Sequence, residues 1–131
     1  MDTKLKSSKG KILLMDDEYT VRDVVKRMLV VGGYSVELAE NGEEAVAVFE
    51  TAIHDGHPFD AVILDLIVQN GMDGRSALQK ILEIDPEVKA IVASGYSDDP
   101  VMANFEDYGF RATIPKPFTF QQIKTVVQSV L

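Results

Sequence analysis

The chain has 131 residues, a net charge of −8 and no cysteine. The length fits one domain that buries about two-thirds of its unfolded surface. The lack of cysteine excludes disulfides and thiolate metal sites, and the negative charge argues against non-specific nucleic-acid binding. No apolar stretch approaches the roughly 20 residues that span a bilayer. We therefore expect a cytoplasmic domain over 11–131, with the polar segment 1–10 as a flexible lead-in or the end of a linker.

The first apolar run, Ile12 to Met15, leads directly into Asp16-Asp17-Glu18. A continuous apolar run is typical of a strand that is covered on both faces, here over 11–16. The helical spacing of the next apolar residues predicts a helix that Gly32-Gly33 ends. Its predicted buried face consists of Val21, Val24, Val25, Met28 and Leu29. The segment therefore predicts a strand, an acidic loop and a helix.

The second unit has a weaker strand. Segment 34–39 alternates polar and apolar residues, which is typical of an edge strand with one wetter face. Asn41 and Glu44 have the spacing of a capping box and predict the start of a second helix. The predicted buried stripe of that helix is Ala45, Val48, Phe49 and Ala52.

The central unit begins with the run 59–65, in which four consecutive apolar residues precede Asp65. This run predicts a buried strand of a parallel sheet. Asn-Gly and Asp-Gly pairs predict a loop over 66–74. Helical spacing then predicts a third helix, which Asp85-Pro86 ends. Its apolar members are Ala77, Leu78, Ile81 and Leu82.

A third buried strand is predicted over 90–93, and it runs into Ser94-Gly95. Asp99-Pro100 predicts a cap with proline at the first helical position. We expect a short helix there, ended by Gly109. Its apolar members are Val101, Met102 and Phe105.

The last unit starts with a weaker strand over 111–115, where the proline near its end indicates an edge position. Lys116 follows this strand. Thr119 and Gln122 predict a capping box for the last helix, whose apolar face is Ile123, Val126, Val127 and Val130. Five strand–helix units with right-handed crossovers predict a doubly wound parallel sheet.

Chemically useful side chains stand at the carboxyl ends of the predicted strands. If the strands are neighbours, Asp16, Asp17 and Asp65 converge, and repulsion among them calls for a cation. A small set of charged oxygen ligands is typical of a Mg²⁺ site. Asp65 could also act as a nucleophile. Ser94 could donate a hydrogen bond to a phosphoryl oxygen, and Lys116 could pair with another. The plain alternative for Asp16-Asp17 alone is a solvated acidic loop.

This constellation resembles the receiver domain of two-component response regulators over about residues 11–131. The resemblance implies a flavodoxin-like, three-layer α/β sandwich with strand order 2-1-3-4-5. It implies phosphotransfer to Asp65 from a phosphohistidine on a sensor histidine kinase or a histidine phosphotransfer domain. It also implies a Mg²⁺ requirement and a cis bond between Lys116 and Pro117. We expect Asp17, Asp65 and the backbone carbonyl of Ile67 to hold Mg²⁺, with Asp16 acting through water.

Such a domain is a signalling domain with self-catalysed phosphotransfer and dephosphorylation rather than a separate enzyme, although a parent hybrid chain could be a histidine kinase. The chain departs from the family pattern at four places. Val68-Gln69 replaces Met-Pro, one extra residue precedes Met72-Asp73-Gly74, Gly95 replaces alanine, and Thr113 replaces the aromatic switch residue. The longer loop and Ser94-Gly95-Tyr96 resemble receivers that are appended to hybrid sensor histidine kinases.

Three other functions compete with this interpretation. A phosphatase that forms a phosphoaspartate would need a second aspartate two residues after Asp65, where Ile67 stands. A pseudo-receiver that serves only as a binding module would typically lack the acidic pair, the acceptor or the lysine. A flavodoxin-like nucleotide binder would need a glycine-rich loop after the first strand, where Asp16-Asp17-Glu18 would repel phosphate.

Overall fold

Five parallel strands form the middle layer of the computed structural model, which describes residues 8–131. The strand order is β2-β1-β3-β4-β5, and helices cover both faces. This confirms the predicted doubly wound, flavodoxin-like fold. In chain order the elements are β1 Lys11–Met15, α1 Tyr19–Val31, β2 Ser35–Ala39, α2 Gly42–His54, β3 Ala61–Asp65, α3 Gly74–Ile84, β4 Ala90–Ser94, α4 Pro100–Ala103, a 3₁₀ helix Phe105–Tyr108, β5 Ala112–Pro115 and α5 Phe120–Val130.

The sheet separates two apolar cores because successive side chains of a strand point to opposite faces. Leu13 and Met15 of β1 pack in the core that includes buried residues of α2 and α3. Ile12 and Leu14 pack in the core that includes buried residues of α1 and α5. The three central strands are therefore covered on both faces, as their continuous apolar runs predicted.

The predicted buried face of the first helix is wrong at one position. Val25 and Leu29 of α1 are buried, whereas Val24 is 44% exposed. Val24 precedes Val25 by one residue and so lies about 100° around the helix, at the margin of the stripe that faces the sheet. Tyr19 and Val31 are also largely exposed, so α1 has an apolar outer margin.

Helix starts differ in part from the predicted capping pattern. The Asn41 side chain accepts a hydrogen bond from the Glu44 amide (2.9 Å), but the Glu44 carboxylate accepts from the amide of Glu40 instead of Asn41. Only half of that capping box forms. The box of Thr119 and Gln122 is confirmed in both directions.

The third helix begins earlier than the predicted loop allows. The Asp73 side chain caps it by accepting from the Ser76 amide at 2.9 Å, and Gly74 is already helical. An Asp-Gly pair suits either a turn or a helix cap, and here the cap forms. The predicted helix after Asp99 also divides, because a 3₁₀ helix follows the four residues of α4.

The central strand β3 starts at Ala61, two residues later than predicted, and the edge strands β2 and β5 each start one residue later than predicted. Residues 1–7 of the predicted lead-in lie outside the described residues. Lys9 and Gly10 bond through their backbone to Gly33 and Ser35. Among the helices that the structure describes, none is long and apolar enough to cross a membrane.

Candidate functional site

The carboxyl ends of four strands meet at one cavity. Asp65 and Ser94 end β3 and β4, and Asp16 and Lys116 directly follow β1 and β5. Parallel pairing brings these ends to the same edge of the sheet. The cavity has a volume of about 710 Å³. Its lining includes five residues that were predicted from the sequence: Asp17, Asp65, Ile67, Ser94 and Lys116.

Asp16 lies behind this cavity, and its hydrogen-bonding groups are already engaged. Its carboxylate accepts from the Lys116 ammonium at 2.7 Å and from the Glu18 amide at 2.9 Å. Its backbone amide donates to Ala39, and its carbonyl accepts from Arg22. Asp16 is only 3% exposed, and its carboxylate holds the Lys116 ammonium and the Glu18 amide.

Asp17 is more open. One carboxylate oxygen accepts a hydrogen bond from the Gln69 amide at 3.0 Å. Among residues 8–131, its other oxygen has no hydrogen-bonding partner. Oxygen atoms of Asp16, Asp17 and Asp65 lie within 4.8 Å of one another. The predicted convergence of the three carboxylates is therefore present.

Lys116 provides the positive charge at this edge. Its ammonium lies 2.7 Å from Asp16 and 3.4 Å from Asp65. Burial by itself would lower the pKa of Lys116, but the hydrogen bond to Asp16 and the charges of Asp65 and Asp16 together raise it. The lysine is therefore charged at neutral pH.

Asp65 is 5% exposed, and its pKa is raised to about 7, mainly by burial. The carboxylates of Asp16 and Asp17 also contribute to the raised pKa, while Lys116 and a hydrogen bond from the Ile67 amide oppose it. A buried carboxyl group beside like charges is poorly solvated, so a nearby cation is needed to stabilise its charged form. Once charged, such a carboxylate can act as a nucleophile.

Ser94 and Ile67 line the same cavity as Asp65. The buried Ser94 hydroxyl oxygen accepts from the Tyr96 amide at 3.0 Å. Within the described chain the hydroxyl proton has no protein acceptor, so it is available to a ligand oxygen. Ile67 lines the cavity with its side chain 46% exposed, and its carbonyl remains a predicted metal ligand.

The donor set fits Mg²⁺. Asp17 and Asp65 offer carboxylate oxygens to one open cavity, and Asp16 stands within reach of a bridging water. A few carboxylates together with several waters are the usual surroundings of this ion. Because an open carboxylate oxygen remains on Asp17, Mg²⁺ could bind without breaking the Asp16–Lys116 pair.

Two features of the site were not predicted from the sequence. Arg22 is buried beside Asp16, although its position in α1 looked like an ordinary polar helix position. The loop after β3 is fastened to the start of α2: Met72 donates to the Glu43 carboxylate (2.8 Å) and accepts from Gly42 (2.7 Å). A cation one turn into the helix after an acidic pair is the signal that could have revealed Arg22.

Comparisons with known proteins agree with this geometry. The chain is 33% identical over 125 residues to the sensor kinase CckA of Brucella abortus, covering 95% of this chain and 13% of the kinase. It is 28% identical to the sporulation initiation phosphotransferase F of Bacillus subtilis, covering 92% of this chain and 93% of that protein. The chain spans half or less of the length of several other curated relatives that it matches.

A solved structure shows the same fold. The response regulator TrrA of Thermotoga maritima, described as a complex with Mg²⁺–BeF, superimposes with a TM-score of 0.78. It is 27% identical, and the match covers 92% of this chain and 98% of that one. The family model of the response regulator receiver domain matches residues 12–128. The chain therefore belongs to the receiver-domain family of two-component signalling systems.

Proposed function

We propose that this receiver domain accepts a phosphoryl group on Asp65. The donor is a phosphohistidine on a sensor histidine kinase or a histidine phosphotransfer domain. An oxygen of the Asp65 carboxylate attacks phosphorus, the phosphorus–nitrogen bond breaks, and its electron pair returns to the imidazole. The observation that carries this proposal is the meeting of Asp17, Asp65, Ser94 and Lys116 around one cavity, with Asp16 engaged behind them.

Mg²⁺, held by Asp17, Asp65 and the Ile67 carbonyl with Asp16 through water, would supply positive charge to the phosphoryl oxygens. Lys116 would leave its 3.4 Å contact with Asp65 and pair with one phosphoryl oxygen. Ser94 would donate a hydrogen bond from its hydroxyl group to a second phosphoryl oxygen. The buried position of Asp65 would limit the access of water and slow the loss of the phosphoryl group.

The acceptor is tested by incubating the protein with acetyl phosphate and Mg²⁺ and measuring its intact mass. We expect one phosphoryl adduct on the parent protein and none on Asp65→Asn. Asp55→Asn is the matched control, since the same change is made at an exposed residue at the end of α2. An adduct that persists in Asp65→Asn would refute the assignment. A parent without any adduct would favour a pseudo-receiver.

Lys116→Ala separates the two kinds of cation contact. This variant should still bind Mg²⁺, because a second cation is not a metal ligand. It should lose most of the spectral change that beryllofluoride, a phosphoryl mimic, produces in the parent protein. An equal change in both proteins would show that Lys116 does not engage the phosphoryl group.

We also propose that the domain is a relay receiver of the hybrid-kinase type, located in the cytoplasm. The similarity to the sensor kinase CckA supports this context, as does the loop with one extra residue before Met72. Phosphotransfer from purified phosphohistidine domains would test the partner class. Transfer from no such domain, with labelling by acetyl phosphate intact, would contradict the proposed partners.

A further inference from the structure

Arg22 is a buried cation that the proposed phosphotransfer does not use. The buried polar side chains among the described residues are Asp16, Arg22, Asp65 and Ser94. The other three belong to the site. Arg22 is only 8% exposed, and a buried guanidinium is costly unless its donors are engaged, so its contacts indicate its role.

Those contacts avoid the carboxylates of Asp16, Asp17 and Asp65. One terminal guanidinium nitrogen of Arg22 donates to the backbone carbonyl of Asp16 at 2.7 Å. The other terminal nitrogen lies 3.9 Å from the carboxylate of Glu40, which lines the cavity, and the guanidinium stands 5.7 Å from the ring centroid of Tyr19. Arg22 thus connects the β1–α1 loop to the β2–α2 loop.

We infer that Arg22 is a positioning residue that aims the Asp17 carboxylate into the cavity. The Asp16 carbonyl and the Asp17 amide belong to one planar peptide group. A hydrogen bond to this carbonyl therefore restricts the orientation of the peptide plane before Asp17, and with it the direction of the Asp17 side chain. The inference rests on the proposed function, in which Asp17 holds Mg²⁺.

Charge and position predict opposite results when Arg22 is neutralised. Removal of a positive charge near a cation site should by itself tighten Mg²⁺ binding. Loss of the hydrogen bond to the Asp16 carbonyl should release the peptide before Asp17 and weaken binding. The sign of the change in Mg²⁺ affinity therefore distinguishes the two roles.

The test is a Mg²⁺ titration of Arg22→Met, followed by chemical shifts, at a temperature where thermal unfolding shows the protein to be folded. We expect binding about tenfold weaker, the scale on which partners of metal ligands usually act. Arg27→Met is the control, because Arg27 lies in the same helix, is exposed, and pairs with Asp23 at the surface. Equal or tighter binding by Arg22→Met would overturn the inference.

Arg22→Lys keeps the charge but cannot hold the Asp16 carbonyl and approach Glu40 with one planar group. Positioning predicts weaker Mg²⁺ binding here too, whereas a purely electrostatic role predicts no change. This variant decides the question if Arg22→Met does not fold.

A second readout requires no metal. The Gln69 amide donates to Asp17, so its hydrogen exchange should become faster in both Arg22 variants and stay unchanged in Arg27→Met. Unchanged exchange would contradict the positioning role. The two proposals fail separately: a parent that binds no Mg²⁺ contradicts the proposed function, while a binding parent with unaffected variants contradicts only the role of Arg22.

Discussion

The two walls of the cavity are held in different ways. One wall, residues 66–73 after β3, is bonded to other parts of the chain: Gln69 to Asp17, and Met72 to both Gly42 and Glu43. We call it the fastened wall. The other wall, residues 95–98 after β4, is exposed, and its described hydrogen bonds reach only Ser94 and Asp99. We call it the free wall.

This difference indicates where movement can occur. A segment with few contacts outside itself opens at low cost, whereas one bonded to two other elements does not. Ser94 joins the free wall to the cavity through its hydrogen bond with Tyr96. A phosphoryl oxygen that accepts a hydrogen bond from the Ser94 hydroxyl would therefore shift the free wall and leave the fastened wall in place. The predictions below test the packing of each wall, the buried carboxylate at the cavity and the coupling of Ser94 to the outer face.

The largest effect is expected from Gly42→Ala, which should destabilise the protein by roughly 2–3 kcal/mol. A Cβ atom there would lie 2.7 Å from the Met72 carbonyl oxygen, and this clash would push the fastened wall away from α2. Gly95→Ala is the matched change on the free wall, where a Cβ atom would meet nothing within 4 Å. Its effect should stay within about 1 kcal/mol and be stabilising in sign.

Urea unfolding of the two glycine variants measures this contrast directly. Equal losses of stability would show that the walls do not differ in packing. Gly42→Ala should lower the free energy of unfolding even though alanine has a higher helix propensity than glycine.

Asp65→Asn should stabilise the Mg²⁺-free protein at neutral pH. Burial raises the pKa of Asp65 from 3.8 to about 7, so the folded state binds this proton more tightly than the unfolded state does. The carboxyl group therefore costs no stability below pH 3.8, and its cost grows as the pH rises to about 7.

The measurement is the free energy of unfolding of parent and Asp65→Asn between pH 4 and pH 8, in the presence of a chelator. The gap between the two proteins should widen with pH and level off above the pKa of about 7. A gap that is independent of pH would contradict the raised pKa. Mg²⁺ should narrow the gap, since it compensates the charge in the parent.

A smaller effect is expected from Glu43→Gln on the fastened wall. The hydrogen bond from the Met72 amide lowers the pKa of Glu43, so this contact is complete above pH 4.5 and is lost as the pH falls through the lowered pKa. In Glu43→Gln the Met72 amide should exchange its hydrogen severalfold faster at neutral pH. Glu50→Gln, an exposed change in the same helix, should leave that amide unaffected. Equal exchange in both variants would show that Glu43 does not hold the fastened wall through Met72.

The smallest effect is expected from Thr113→Ala. Thr113 is half-buried in β5 and lacks the ring that an aromatic switch would turn into space left by Ser94. Phosphorylation-dependent shifts and elution volume should therefore remain close to those of the parent. A large loss of the activated conformation would show that Thr113 itself couples Ser94 to the outer face.

The parts of the site that lie at strand ends could be predicted from the sequence. Each buried apolar run marks its own end, and parallel strands have their carboxyl ends at the same edge of the sheet, which brings Asp16, Asp65, Ser94 and Lys116 together. The strand order itself followed from the family resemblance.

The contacts that support the site could not be predicted in this way. The bonds of Met72 to Gly42 and Glu43 join segments about 30 residues apart, and no local pattern specifies them. Arg22 is a similar case, since helical spacing alone does not distinguish a buried arginine from a solvated one. Asp73-Gly74 has the signal of both a turn and a cap, and only packing decides between them.

The Lys116–Asp16 pair joins residues that are 100 positions apart. During synthesis the three acidic residues leave the ribosome long before the lysine that offsets them. Until β5 docks beside β4, their mutual repulsion has no ammonium to relieve it. On the proposed function, a nascent or shortened chain without Lys116 would bind a phosphoryl group poorly even if its first four strands were in place. Competence to receive the signal would then arise only after the C-terminal strand has joined the sheet.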